Sequence, residues 1–308
     1  MINRVLIRLK IVQVVYAFYK NSGKDIDAAE KELFFSLSKA YDLYHYLLLL
    51  MVAVTDYAYR RIEAARQKLI PTEADLHPNL KFVENKFIAQ LESNRQLKTF
   101  VDKQKRTWAG EEAFLKNLFD DIANSDYYHE YMSTPEGSYE EDRELWRRLY
   151  KNIICPNEAL DAVLEEQSLY WNDDKCTVDT FVLKTIRRFD EANGADQELL
   201  PEYRDAEDAD FARRLFRRTL MNEGQYRQLI KAGIRNWDLE RVAFMDMVIM
   251  QCALAELMSF PGIPVSVTLN EYVEIAKAYS TNKSGAFVNG TLDGIVKVLK
   301  KQGKLLKN

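Results

Sequence analysis

The sequence predicts an all-α fold. Glycine and proline number only 11 and 7 among 308 residues, about half their usual share in globular proteins, so few residues interrupt helices. Apolar residues recur three and four positions apart, as Val12, Val15, Tyr16 and Tyr19 do near the start of the chain. No run of alternating apolar and polar residues flanked by turn residues indicates a strand.

The pattern begins with a short first helix, followed by a long helix that ends near Lys68. Two acidic stretches of low hydrophobicity, 133–144 and 191–210, indicate linkers or exposed loops. The chain is therefore expected to have four parts: 1–25 as a first helix that packs on the C-terminal module, 26–134 as a long helical region, 135–205 as a helical segment with acidic linkers, and 206–308 as the C-terminal module.

Two segments hint at an internal repeat. The residues RRLY at 147–150 precede Trp171, and RRLF at 213–216 precede Trp237, with 24 positions from the first arginine to the tryptophan in both cases. A diverged duplication is one interpretation, and chance similarity between two amphipathic helices is the other.

Composition is that of a globular protein, with 47% hydrophobic and 29% charged residues. The longest apolar run, 47–54, is too short to cross a bilayer. Near the start, apolar residues alternate with Arg4, Arg8 and Lys10, which is unlike a secretory signal. We therefore expect a cytoplasmic protein that does not contact a membrane.

Catalytic and metal-binding patterns are absent from the sequence. Cys155, Cys176 and Cys252 lie far apart without a CxxC motif, and the three histidines are equally scattered. Neither a phosphate-binding glycine loop nor a nucleophile elbow occurs. We expect no metal, no cofactor and no enzymatic activity.

Charge is unevenly distributed although the net charge is only −4. Residues 1–20 contain four cations and no acid, and the same is true of the lysine-rich tail from Ile295 onward. The two ends would make a basic face if the fold brings them together. Otherwise they are a solvated helix end and a frayed tail.

Three segments, in order, carry a resemblance to a known family: RLKIVQVVYAF at 8–18, a tryptophan followed by a mostly apolar helix closing on Glu-Leu at 237–257, and NEYVEIAK followed by FVNGTLD at 270–293. Together they resemble the NusB family of transcription antitermination proteins. The resemblance covers 1–20 and 208–308, and it leaves 60–205 as an additional region. It implies a NusB-like helical bundle with an additional helical lobe.

The resemblance also implies a function. The protein would bind boxA-type single-stranded RNA together with the ribosomal protein NusE, within the transcription elongation complex, and promote processive transcription of ribosomal RNA operons. No DNA contact is expected. The positions that match the family's RNA surface, with the neighbouring cation Lys10, are Arg4, Arg8, Lys10, Tyr16, Lys283, Ser284 and Phe287.

Other residues are assigned to a protein partner or to the fold. Asp246 interrupts an apolar helix, so it either pairs with an internal arginine or faces a basic partner, and the resemblance favours the partner for Asp246 and Glu256. Thr268 and Glu271 have capping-box spacing. Structural roles are expected for Trp237, Thr268, Glu271, Asn289 and Gly290, with Gly290 allowing close helix packing. Direct contact with a ligand is the alternative for Asn289 and Gly290.

The sequence also departs from the family. Val5 and Leu6 stand where relatives carry cations, which would weaken RNA binding by the protein alone, whereas Lys283 adds a cation. Arginines 213, 214, 217 and 218 form a second basic stripe. One alternative is therefore a scaffold that has lost RNA binding. An rRNA methyltransferase is disfavoured because no cofactor loop or catalytic cysteine motif follows the module.

Overall fold

A computed structural model describes residues 1–234 and 242–305 of the chain. Within those ranges it confirms the all-α prediction, since no β-strand occurs and Ile2 and Tyr203 form only an isolated bridge. The helices are α1 (Arg4–Lys20), α2 (Ile26–Arg66), α3 (Glu73–Leu76), α4 (Lys86–Ser93), α5 (Arg95–Gln104), α6 (Glu112–Ala123), α7 (Asp126–Met132), α8 (Tyr139–Leu149), a π-helix (Tyr150–Ile154), α9 (Glu158–Gln167), α10 (Lys175–Arg188), a 3₁₀ helix (Glu191–Asp196), α11 (Ala206–Met221), α12 (Glu223–Gly233), α13 (Phe244–Ser259), α14 (Val265–Tyr279) and α15 (Ser284–Lys301).

The chain forms two compact units. The terminal unit comprises residues 2–38 and 202–308, and the central unit comprises residue 1 and residues 39–201. Helix α2 contributes its first residues to the terminal unit and the rest to the central unit. The finer four-part division of the chain stays a prediction.

Helix α13 forms the centre of the terminal unit. It contacts α1, α11, α12, α14 and α15, and every residue from Asp246 to Leu257 is buried. Apolar side chains on all sides of this helix predicted such a position, because a surface helix would need a polar face.

Helix α1 packs on α11, α13 and α14, although most of the chain separates them in sequence. The Asn3 side chain accepts a hydrogen bond from the Leu6 backbone N–H at 3.0 Å and so caps the helix start. Ile7, Ile11 and Val15 are fully buried against the neighbouring helices. The first helix is thus part of the terminal unit.

Aromatic side chains dominate the core of the central unit. The Tyr46 ring stacks on Trp108 at 4.1 Å and on Trp171 at 5.3 Å between centroids. Both indole N–H groups donate to backbone carbonyls, from Trp108 to Tyr46 at 2.9 Å and from Trp171 to Lys39 at 2.7 Å. Large buried rings with satisfied polar groups are what an independent core requires.

The two units differ in charge. The sequence places 22 lysines and arginines against 17 acids in the terminal unit, and 21 against 30 in the central unit. In the described ranges, no helix is both long and apolar enough to cross a membrane.

Candidate functional site

A buried ion pair joins the first helix to the central helix of the terminal unit. Arg8 is 3% exposed and Glu256 is fully buried. The Arg8 Nε donates to Glu256 Oε2 at 2.7 Å, and its Nη2 donates to Oε1 at 2.9 Å. This two-pronged geometry is the strongest that arginine makes with a carboxylate. Burial by itself lowers the pKa of Arg8, but the hydrogen bonds and charge of Glu256 outweigh it and raise that pKa.

Helix α14 completes the surroundings of the Glu256 carboxylate. The Thr268 hydroxyl donates to Oε1 at 2.8 Å, and the Tyr272 hydroxyl donates to Oε2 at 3.4 Å. Burial, and then the charge of Glu256, raises the pKa of Tyr272 well above its ordinary value, so the phenol remains a donor. A charged pair with this many partners can remain in a core, where an unpaired charge could not.

The burial of three side chains corrects three expectations. Arg8 was expected to contact RNA and Glu256 to contact a partner protein, yet both are interior groups. Lys10, also expected at RNA, is 2% exposed. Arginine, lysine and glutamate usually lie on the surface, which is why the sequence placed these residues there. Whether such a side chain is buried depends on its partner in the fold, and Glu256 lies 248 positions from Arg8 in the sequence.

The expected capping box at Thr268 is also wrong. Helix α14 begins at Val265 with Pro264 at the N-cap and without a side-chain cap. Proline lacks an N–H and has a fixed φ, so it suits the start of a helix. Thr268 therefore lies one turn inside, where its hydroxyl reaches Glu256, and Glu271 lies 3.5 Å from Arg8 Nη1.

Asp246 holds the turn that leads into α15. Asp246 is 4% exposed and Ser284 is 1% exposed. The Ser284 hydroxyl donates to Asp246 Oδ2 at 2.9 Å and accepts the Thr281 backbone N–H at 3.1 Å. The other carboxylate oxygen of Asp246, Oδ1, accepts no hydrogen bond from the described part of the chain. No arginine among the described residues pairs with this carboxylate, and its burial does not give it the partner-facing position that the sequence suggested. Buried Ser284 is likewise not a surface residue.

The remaining predicted RNA residues are accessible. Lys283, the N-cap of α15, is exposed. The Arg4 side chain is 34% exposed and lies 3.3 Å from Asp208 and 5.0 Å from the Phe211 ring centroid. Tyr16 and Phe287 are half-buried. The structure therefore leaves a smaller set of accessible cations and rings than the motif implied.

Asn289 and Gly290 lie on the outer side of α15, where both are exposed. A Cβ added at Gly290 would meet no heavy atom within 4 Å outside the local helix backbone. The expectation that Gly290 allows close helix packing is therefore wrong. Gly290 instead lines an open groove of about 640 Å³ between α12 and α15. Trp237, also expected to be structural, lies outside the described residues.

Much of the second basic stripe, on α11, is neutralised by acids. Arg217 pairs with Asp27 at 2.5 Å and also with Glu30, which Arg213 contacts at 3.1 Å. Arg214 lies 3.5 Å from Asp210. Arg218 is exposed. Paired arginines are poorly available to phosphate groups, so this stripe contributes less to an RNA surface than its spacing suggested.

The structure adds two residues that the sequence analysis did not assign to a site. Phe244 contacts Tyr16 edge-on with centroids 5.3 Å apart, and the Lys20 ammonium lies 4.6 Å from the Phe244 centroid. Lys20 is one of the four cations in the acid-free stretch 1–20. Nothing local could have linked it to Phe244, because that contact exists only after α1 packs on α13.

Known proteins resemble the C-terminal part of the chain. A family model described as NusB matches residues 179–297. The transcription antitermination protein NusB of Salinibacter ruber (strain DSM 13855 / M31) is 38% identical over 132 residues, which cover 41% of this chain and 82% of that protein. The protein of the same description from Symbiobacterium thermophilum (strain DSM 24528 / JCM 14929 / IAM 14863 / T) is 35% identical over 122 residues, covering 40% and 76%. A solved structure of T. maritima NusB is 35% identical, covers 40% of this chain and 87% of that one, and has a TM-score of 0.31.

Proposed function

Because this chain belongs to the NusB family, we propose that it is a transcription antitermination factor that binds boxA-type single-stranded RNA together with the ribosomal protein NusE. In this role it acts within the transcription elongation complex and promotes processive transcription of ribosomal RNA operons. The observation that carries the proposal is the similarity of residues 179–297 to that family.

The charge of the terminal unit supports RNA as the ligand. Its 22 cations exceed its 17 acids, and cations that neutralise phosphates supply most of the affinity for nucleic acid. Direct contacts are assigned to the accessible residues Arg4, Tyr16, Lys283 and Phe287. Tyr16 and Phe287 would offer ring faces on which unpaired bases stack.

The buried members of the predicted site act indirectly in this proposal. Arg8 fixes α1 on α13 through Glu256, and this fixes the position of Arg4 and Tyr16 on the same helix. Ser284 and Asp246 hold the turn that carries Lys283. Their substitution would therefore weaken RNA binding by displacing contact residues, without removing a contact.

The test is RNA binding to a fluorescently labelled boxA-type strand, with and without NusE, over a series of salt concentrations. We expect binding that strengthens with NusE and weakens steeply with salt. Lys283→Gln should weaken binding, whereas Lys116→Gln, which removes an exposed cation from the central unit, should not. Binding that is absent in both states, or equal affinity for the two variants, would contradict the proposal or the placement of its site.

A second candidate is a NusB-fold scaffold that binds protein but no RNA. The specific observation in its favour is that three of the four cations of α1 are poorly available to RNA, since Arg8 and Lys10 are buried and Arg4 is paired with Asp208. This alternative predicts capture of NusE by the purified chain without any RNA binding in the presence of NusE.

A further inference from the structure

Aromatic rings and a cation meet where the end of α1 contacts the start of α13. Tyr16 and Phe244 lie edge-to-face with centroids 5.3 Å apart and planes inclined by 63°. Tyr19 lies 6.4 Å from Phe244 with planes inclined by 77°. The Lys20 ammonium lies 4.6 Å from the Phe244 centroid and 5.6 Å from the Tyr16 centroid. These four residues form the aromatic cluster of the terminal unit.

Within residues 1–234 and 242–305, no packed side chain closes the outer part of this cluster. Tyr16 and Phe244 are half-buried, and Lys20 is exposed. A lysine side chain that covers a ring is flexible, and its cation–π contact is weak at an exposed site. The ring surface beneath Lys20 is therefore covered by a group that can be displaced with little loss of stability.

We propose that Phe244, with Tyr16 beside it, forms a stacking site for one unpaired base of a bound single strand. On binding, the Lys20 ammonium leaves the ring and contacts a phosphate next to that base. Every base has a π-face that stacks on an aromatic ring, and phosphate is a better partner for an ammonium than an exposed ring. This inference rests on the proposed function, because it names how one base of the RNA is held.

The inner side of the cluster explains why the rings are firmly placed. Tyr19 is half-buried, and its buried hydroxyl has no hydrogen-bond partner among the described residues. Burial raises its pKa well above the ordinary value, so the ring stays neutral. Arg227 of α12 lies 5.7 Å from its centroid. Tyr19 thus supports Phe244 from within, and a rigid platform loses little conformational freedom when a base stacks on it.

The alternative is that these rings only attach α1 to α13. The two roles respond differently to substitution. Phe244→Leu keeps an apolar contact with Tyr16 but removes the ring face, whereas Phe244→Tyr restores the face. A purely structural role would tolerate leucine nearly as well as tyrosine at this half-buried position. A stacking role would tolerate only the aromatic replacement.

The experiment uses the full chain with NusE and a set of boxA-type strands, each carrying 2-aminopurine at a different position. Stacking on an aromatic ring quenches the fluorescence of this base. We expect one position to be quenched by the unaltered protein and by Phe244→Tyr, but not by Phe244→Leu. Phe244→Leu should also weaken binding about tenfold, which corresponds to about 1.4 kcal/mol.

Matched controls separate this site from general effects. Phe35→Leu removes a different exposed ring of the terminal unit and should leave both quenching and affinity unchanged. Lys20→Gln should keep the quenching and reduce the slope of log affinity against log salt by about 0.7. Thermal melting of each variant identifies any that fails to fold, in which case Lys20→Gln and Phe244→Tyr carry the test.

Two results would overturn the inference. If RNA binds but Phe244→Leu matches the unaltered protein in affinity and quenching, the stacking site is refuted and the proposed function stands. If neither RNA binding nor its enhancement by NusE occurs in the unaltered protein, the proposed function fails and the stacking site fails with it.

Discussion

Removing Arg8 should destabilise the terminal unit strongly. In Arg8→Met the Glu256 carboxylate would stay fully buried without its cation. Loss of one partner from a buried ion pair costs about 3–5 kcal/mol. Thr268 and Tyr272 still donate to the carboxylate, so we expect the lower end of that range, about 3 kcal/mol.

Hydrogen exchange of the α13 backbone amides is the appropriate measurement. The two units need not unfold together, so a single unfolding curve would mix their stabilities. Amides of a central helix exchange mainly when its unit opens. A loss of about 3 kcal/mol should accelerate their exchange by about a hundredfold in Arg8→Met.

Two further variants test the reasoning. Lys297→Met removes an exposed cation of α15 that pairs with Asp293 at 2.6 Å, and it should change stability by less than about 1 kcal/mol. Arg8→Met combined with Glu256→Met should be more stable than Arg8→Met alone, because no unpaired charge remains buried. Exchange in Arg8→Met within fivefold of the unaltered protein would refute the structural role of this pair.

Three other predictions follow from individual contacts. Lys283→Gln should reduce the slope of log RNA affinity against log salt by about 0.7, as measured by fluorescence anisotropy, and an unchanged slope would exclude a phosphate contact. Gly290→Ala should stabilise the terminal unit by up to about 1 kcal/mol, measured by hydrogen exchange of the α13 amides, since the added Cβ meets open space, whereas Gly233→Ala should destabilise that unit because the Cβ would lie 2.6 Å from Ile295. Burial lowers the pKa of His45, so its neutral form is favoured in the fold, and stability should fall as pH drops below about 6.5, where only the unfolded chain gains the proton. His45→Gln should flatten that decline in denaturation midpoints measured from pH 7.5 to 5, and an identical decline would assign it to other groups.

Helix content and the central position of α13 could be predicted because they depend on local pattern. The scarcity of glycine and proline indicates a high helix content. The apolar residues on every side of the segment 244–259 indicate a buried helix. The start of α14 could not be predicted with the same security. Thr268 and Glu271 match the spacing of a capping box, but the helix begins one turn earlier, after Pro264. Both patterns are typical of a helix start, so the sequence alone does not decide between them.

Assignment of site residues failed where it depended on burial. From the sequence, Arg8 was predicted to be a surface cation, but in the fold it pairs with Glu256. Ser284 was predicted to be accessible, but its hydroxyl donates a hydrogen bond to buried Asp246. In each case the partner lies on another helix, so no spacing rule within one helix identifies it. The opposite error occurred at Gly290, where a conformationally free residue was taken for a packing contact although it faces open space.

The net charge of the whole chain and that of the terminal unit have opposite signs. A net charge of −4 for the whole chain weakens the case for an RNA ligand. The terminal unit nevertheless has an excess of cations, and the acids are concentrated in residues 39–201. Salt screens electrostatic attraction beyond about 8 Å at physiological ionic strength, so the excess of cations within the terminal unit matters more for RNA bound to that unit than the net charge of the whole chain. The acidic central unit therefore does not argue against RNA binding by the terminal unit, and the salt dependence should follow the cations of the terminal unit alone.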